Sequence, residues 1–305
     1  MNNSKIRRFT LITAAWLCAA AAFGAGAQAA TRSVDLHKPA DPEGQVEVDA
    51  IAGSIAVDGW ERPEIAVTGT IGEHVERVDL NATGDHASIR VVLPASSIWG
   101  GDNSADLVIH VPRKSLVKVS LVSADLATHE LLGEQRLRTV SGNIDATVAR
   151  DAKINSVSGR VHVIARAAGG YLEVESISGN VTVEGPVDDI RAQTVSGNSV
   201  LKLASIKSAR LKTISGDLKV TGSLAVGGRL EAGSVSGDLD IGFSAAPGVD
   251  YDVESHTGAI VNCFGPQPQT PTYGPGSHLV FRDGDGSGRV HLNSLSGTIR
   301  LCNHL

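Results

Sequence analysis

Leu137-Arg138-Thr139-Val140-Ser141-Gly142 opens a unit that returns seven more times along the chain. Its copies are Asn155-Ser-Val-Ser-Gly159, Glu175-Ser-Ile-Ser-Gly179, Gln193-Thr-Val-Ser-Gly197, Lys212-Thr-Ile-Ser-Gly216, Gly233-Ser-Val-Ser-Gly237, Glu254-Ser-His-Thr-Gly258 and Asn293-Ser-Leu-Ser-Gly297. Successive glycines lie 17, 20, 18, 19, 21, 21 and 39 residues apart, so one insertion precedes the last copy. Degenerate copies stand at Val122-Ser-Ala-Asp-Leu126 and Ile51-Ala-Gly-Ser-Ile55. A period of ~19 residues marks a repeat architecture, in which one unit cannot bury its apolar face alone and stacking supplies the core.

Aliphatic residues flank each glycine on both sides. Five positions before it stand Leu137, Ile154, Val174, Ala192, Leu211, Ala232, Val253 and Leu292. Two before it stand Val140, Val157, Ile177, Val195, Ile214, Val235, His256 and Leu295. Two and four after it the pattern continues, as in Ile144/Ala146 and Val161/Val163. Period-two alternation on either side of a Ser-Gly corner reads as two short strands per coil. The expected fold is all-β: a single-stack parallel β-solenoid with two strands per ~19-residue coil and an N-terminal antiparallel cap.

In this reading the columns two and five before the glycine both face the core, and His256 becomes a core histidine. The corner glycines Gly142, Gly159, Gly179, Gly197, Gly216, Gly237, Gly258 and Gly297 are structural, needed where the chain bends against the next coil. The residue after each is Asn or Asp in five copies, types that tolerate corners and bond their own backbone. Ser and Thr fill the columns three and one before each glycine. A hydroxyl face of this kind could bind ice or glycan; satisfying the corner backbone is the favoured reading.

The rest of the chain divides at its ends. Lys5, Arg7 and Arg8, the apolar run Phe9 to Phe23 and the small-residue site Ala27-Gln28-Ala29 describe a signal peptide over 1–29. Residues 30–121 hold longer strand candidates and read as the cap, and 122–305 as the solenoid. Removing 1–29 leaves 24 Lys+Arg against 33 Asp+Glu, a net charge of −9. Such a chain has no electrostatic footprint for nucleic acid, and no later run is long and apolar enough for a membrane helix.

The two cysteines of the exported part, Cys263 and Cys302, each lie five residues after a corner glycine. They therefore share a column of adjacent coils, within disulfide reach and in an oxidising compartment. The bond would fasten the last coil and close the inserted loop. Asp283, Asp285 and Ser287 occupy the first, third and fifth positions of a calcium-loop pattern, but its twelfth position is Ser294 instead of Glu. A Gly/Asp turn accounts for the same residues without metal, and the expected cofactor set is empty. Trp60, Trp99 and Tyr273 fall in expected loops, and the segments 98–103 and 266–277 are candidates for contact. No catalytic constellation emerges.

The run Ala105-Asp-Leu-Val-Ile-His-Val-Pro-Arg-Lys-Ser-Leu-Val-Lys-Val-Ser-Leu-Val-Ser-Ala-Asp-Leu126, followed by serial Ser-Gly units, resembles the bacterial β-strand-repeat family catalogued as "putative adhesins". The resemblance implies a β-solenoid at the cell envelope and provides no catalytic residues. Expected partners are an envelope protein, a glycan or a second copy of the chain, in the periplasm, at the outer surface or outside the cell. A periplasmic sensor scaffold and a polysaccharide-acting enzyme are the alternatives.

Overall fold

The structure, a computed structural model, describes residues 31–94, 101–243, 248–271 and 275–302. The signal-peptide segment 1–29, Trp99 and Tyr273 lie outside the described residues. Twenty-two strands join in one continuous sheet network, and no helix is present among the described residues. Each coil has a first arm before its corner glycine and a second arm after it. First arms stack in parallel and in register, pairing Leu137 with Ile154, Ile154 with Val174, Val174 with Ala192, and Ala192 with Leu211. Second arms do the same, from Leu126 through Ile144, Val161, Val181, Ser199, Leu218 and Leu239.

The corner explains the glycine. Gly197 has φ +125°, and a Cβ there would overlap the carbonyl oxygen of Gly179 on the neighbouring coil and lie 2.8 Å from its carbonyl carbon. Backbones stacked this closely leave no room for a side chain. The Asn/Asp position beside the corner bonds differently from expectation: it accepts from the next coil, not from its own backbone. Asn198 N donates to Asn180 Oδ1 at 3.0 Å, Asp217 N to Asn198 Oδ1 at 3.0 Å, and Asp238 N to Asp217 Oδ1 at 3.0 Å. The side chains thus form a ladder of their own, parallel to the backbone one.

One expectation about the core is overturned. The column five before the glycine is buried, but the column two before it faces solvent: Val140, Val157, Ile177, Val195, Ile214, Val235 and Leu295 are 41 to 52% exposed. His256, in the same column, is exposed as well and is not a core histidine. The reason is parity, because positions three apart on a strand point to opposite faces. The inward slot belongs instead to the hydroxyl column three before the glycine, where Thr139, Ser156, Ser176, Thr194, Thr213, Ser234, Ser255 and Ser294 are 1 to 6% exposed. Small side chains suit the corner, where the two arms converge. Ser234 Oγ donates to Gly237 O at 3.2 Å, and Gly258 N donates to Ser255 Oγ at 3.0 Å, closing their own turns. The half of the hydroxyl array expected outside is therefore inside.

Stacking order also departs from chain order, at both ends. The coil of Gly297 lies between those of Gly237 and Gly258: Leu292 pairs with Ala232 on one side and Val253 on the other. The matching second arms run Leu239, Ile299, Ile260. Beyond it, Ser277–Asp283 closes the stack antiparallel to Val249–Ser255. At the other end Gln45–Trp60 is a full coil, paired in parallel with Leu116–His129 inside and with His86–Val92 and Ser104–Pro112 outside. Antiparallel additions complete this end, through Arg32–Pro39, Glu64–Ile71 and Arg77–Thr83. The strand Leu116–His129 runs through the expected 121/122 boundary, so parallel stacking begins well before it.

Candidate binding face

With its parity corrected, the column two before each corner becomes a surface feature. In spatial order it runs Ile51, Val122, Val140, Val157, Ile177, Val195, Ile214, Val235 and Leu295, and His256 ends it. At one rung per coil the nine aliphatics extend over ~40 Å of one face. Soluble monomers seldom leave a contiguous apolar strip of this length uncovered, and such strips mark interaction sites.

The ladder borders two concavities. One, of about 500 Å³, follows five coils from Arg138 and Val140 to Lys212 and Ile214. The other, of about 700 Å³, lies at the far end between Leu295, His256 and Glu254 and a wall formed by Gln269 to Pro271 and Pro275 to Ser277. The described parts of the insertion, Gln269 to Pro271 and Pro275 to Ser277, thus end the face. Their placement rests on the hydrogen-bonded pair Gln269 and His278, which exchange backbone bonds of 2.8 and 2.9 Å.

Charged columns run beside the aliphatics. Several neighbouring coils pair across them: Lys118 with Glu47 at 2.6 Å, Lys153 with Glu173 at 3.1 Å, and Arg210 with Glu231 at 3.8 Å. The Lys118 ammonium holds the Glu47 carboxyl below the usual carboxylate range. These are exposed pairs whose main effect is on register. On the second arms, Arg300 and the Thr298 N–H, both 2.8 Å from Asp238 oxygens, lower that carboxyl and tie the inserted Gly297 coil to the Gly237 coil.

Cys263 and Cys302 form a disulfide, with Cα atoms 4.9 Å apart. Their shared column was legible, but its consequence differs. The bond joins the C-terminal coil to the coil spatially beyond it, instead of tying down an outermost last coil. By chain-entropy arithmetic a loop of separation 39 corresponds to about 4 kcal/mol. Reduction, or Cys302→Ser, is expected to lower the urea midpoint and expose the amides of Val249–Ser255 first, measured by hydrogen exchange with and without reductant.

Beside the disulfide lies an aromatic cluster that the repeat pattern did not reveal. Tyr251 stacks on Phe281 at 4.5 Å between centroids, and Phe264 meets both edgewise. Burial, with a smaller contribution from Asp283, pushes the Tyr251 hydroxyl up to about 12. The cluster caps the apolar interior where the stack ends.

Asp283, Asp285 and Ser287 sit in the turn joining Ser277–Asp283 to Gly288–Ser296. Asp285 Oδ1 accepts from the Ser287 N–H at 3.1 Å, a local turn bond. No group of three or more His, Cys, Asp or Glu able to hold a metal occurs among the described residues. Asp252 bridges His278 at 3.3 Å and His291 at 3.2 Å. Trp60 is anchored: its Nε1 donates to Glu64 O at 2.7 Å, and its ring packs on His110 and under Arg62. No helix among the described residues is long and apolar enough to cross a membrane.

The pattern of the family described as Toastrack DUF4097 matches residues 61–301. No curated protein matches the chain. Among solved structures it is similar to a "putative adhesin" of Bacteroides fragilis, at 12% identity and TM-score 0.44, covering 90% of this chain and 100% of that one. It is also similar to a "putative lipid binding protein" of Parabacteroides distasonis, at 13% identity and TM-score 0.39, covering 92% and 97%. A third is a "putative cell adhesion protein" of Clostridium sporogenes, at 10% identity and TM-score 0.30, covering 90% and 100%.

Proposed function

Because this chain belongs to the Toastrack DUF4097 family, whose fold is solenoid-like, we propose that it is a non-enzymatic, exported scaffold of the cell envelope that engages its ligand along the aliphatic ladder. The observation carrying this reading is the ladder itself. Nine coils each place one Val, Ile or Leu outward at the same position; in seven of them the adjacent inner position is Ser or Thr, and in the first two it is Ala50 and Leu121. Small side chains suit the inner slot, whereas the outer one has room for a polar residue, and an aliphatic left there forgoes the about 1.5–3 kcal/mol that its burial would contribute. The outward aliphatics are retained against that gradient, which fits a surface selected for contact.

Site-specific photo-crosslinking in intact cells tests the assignment. A crosslinker at Ile177 or Ile214 is expected to capture envelope material, whereas one at Lys202, on the outward side of a second arm, captures little. Equal capture at all three positions would remove the ladder from consideration. Protease added to the same cells separates a surface location, where the chain is cleaved, from a periplasmic one, where it is shielded.

A further inference from the structure

The groove beside the ladder has the dimensions and charge of a site for one alkyl chain. Its lining runs from Val140 through Val157, Ile177 and Val195 to Ile214, five coils and therefore ~19 Å. Spread over that length, about 500 Å³ leaves a slot about 5 Å on a side. An extended sixteen-carbon chain, advancing ~1.25 Å per C–C bond, is ~19 Å long. A peptide strand with its side chains is wider than the slot.

The rim supplies the sign of the head group. In the two outward columns flanking these five coils stand six cations, against only Glu173 and Glu175, on a chain whose total is 27 Lys+Arg to 33 Asp+Glu. Three stand at each end, but at the first Arg136 and Lys153 are paired with Glu134 and Glu173, so the less neutralised trio is at the other. Arg191 and Arg210 are register partners, and Lys212 follows on the same face. Glu231, 3.8 Å from Arg210, is the only carboxylate paired with this trio, and Lys212 has no ion pair or hydrogen-bonded partner among the described residues. In the next coil the position beside Lys212 is Gly233, and over it leans the Asn293 amide, 2.5 Å from where a Cβ would stand, so that end carries a neutral amide and no carboxylate.

We propose that this groove binds a monomeric long-chain anionic amphiphile, a fatty acid by chemistry, with its alkyl chain along Val140 to Ile214 and its carboxylate at Lys212. The assignment rests on the ladder being the binding face and names what it takes. A second copy related by a two-fold axis through this face would bring one cationic strip against the other, which electrostatics opposes. A bilayer is disfavoured too, because the aliphatics are half-recessed among charged neighbours and do not project for insertion.

Equilibrium dialysis of radiolabelled palmitate, below its micellar concentration, against residues 30–305 tests the proposal. Saturable binding of one equivalent is expected. Lys212→Glu and Ile177→Asn each weaken it at least tenfold, both being surface changes whose folding is checked by thermal melts. Arg166→Glu, an equal charge change outside the groove, leaves binding intact. Hexadecyltrimethylammonium, with the same chain length and a cationic head, binds at least tenfold more weakly than palmitate. Absence of saturable binding, insensitivity to both groove variants, or equal affinity for the cationic amphiphile overturns the proposal. So does flotation with anionic phospholipid vesicles without binding of the monomer, which would make the face a membrane-docking one. If crosslinking at Ile177 persists while palmitate fails to bind, the ladder remains the binding face and only the ligand assignment falls.

Discussion

Gly197→Val is expected to cost at least ~4 kcal/mol, a magnitude reserved for changes the fold cannot absorb. Two independent penalties coincide at this corner. The backbone sits at φ +125°, which a β-branched residue does not adopt without strain. The new side chain would also have to occupy the volume of the Gly179 peptide, whose nitrogen is 3.1 Å and carbonyl carbon 2.8 Å from an ideal Cβ. Backbone cannot rotate away as a flexible side chain would. Gly227→Ala provides the control: its φ is +71°, but nothing lies within 4 Å of the added Cβ, so only the left-handed strain of about 1–2 kcal/mol applies. Urea denaturation of both variants measures the difference. Because each coil contacts only its neighbours, disruption at Gly197 is also expected to be local. Limited trypsin digestion should open the segment between Lys202 and Arg210 while the Gly142 and Gly159 coils stay protected.

The corner, the period and the disulfide column were legible because each depends on translation along the stack, which the repeat states directly. Cys263 and Cys302 could be paired from their equal offsets from Gly258 and Gly297 without knowing which coil was outermost. Two features depended on something else. The facing of Val157 or Ile177 is a matter of parity relative to Ile154 and Val174, and the offset of three that separates them is odd. Assigning both to the core on hydrophobicity overrode the two-residue period that had identified the strands. The intercalated Gly297 coil depends on which of several equivalent slots a coil occupies. Equivalent repeats are by construction interchangeable in register, so the order Gly237, Gly297, Gly258 is decided by the ends. Tyr251, Phe264 and Phe281 cover the terminal interior, and Ser277–Asp283 pairs antiparallel with the Gly258 coil. An antiparallel partner terminates the parallel stack, and with that edge occupied the C-terminal coil takes the remaining slot between Ala232 and Val253. The candidate groove is hard to see in the sequence for the first of these reasons: its apolar wall is made of residues that hydrophobicity alone places inside.

Leu292 and Leu295 put both corrections to one test, since they are the same residue type, three positions apart on one strand. Leu292→Ala removes a side chain that is 0% exposed and sandwiched between Ala232 and Val253. It is expected to cost about 2–5 kcal/mol, the transfer of the lost methylenes plus the cavity they leave. Leu295→Ala trims a side chain that is 52% exposed, and surface changes of this kind fall within about 0.5 kcal/mol. If both columns faced the core, the two variants would lose comparable stability. The stacking order adds a second readout. With the Gly297 coil as a wedge, the cavity at Leu292 weakens contacts on either side, so amide protection should fall both in Val249–Ser255 and in the Arg229 to Ser236 part of the strand before Gly237. In a stack that followed the chain, Leu292 would touch the Gly258 coil alone and the Gly237 coil would keep its protection. Hydrogen exchange resolved by peptide mass distinguishes the two arrangements in a single variant.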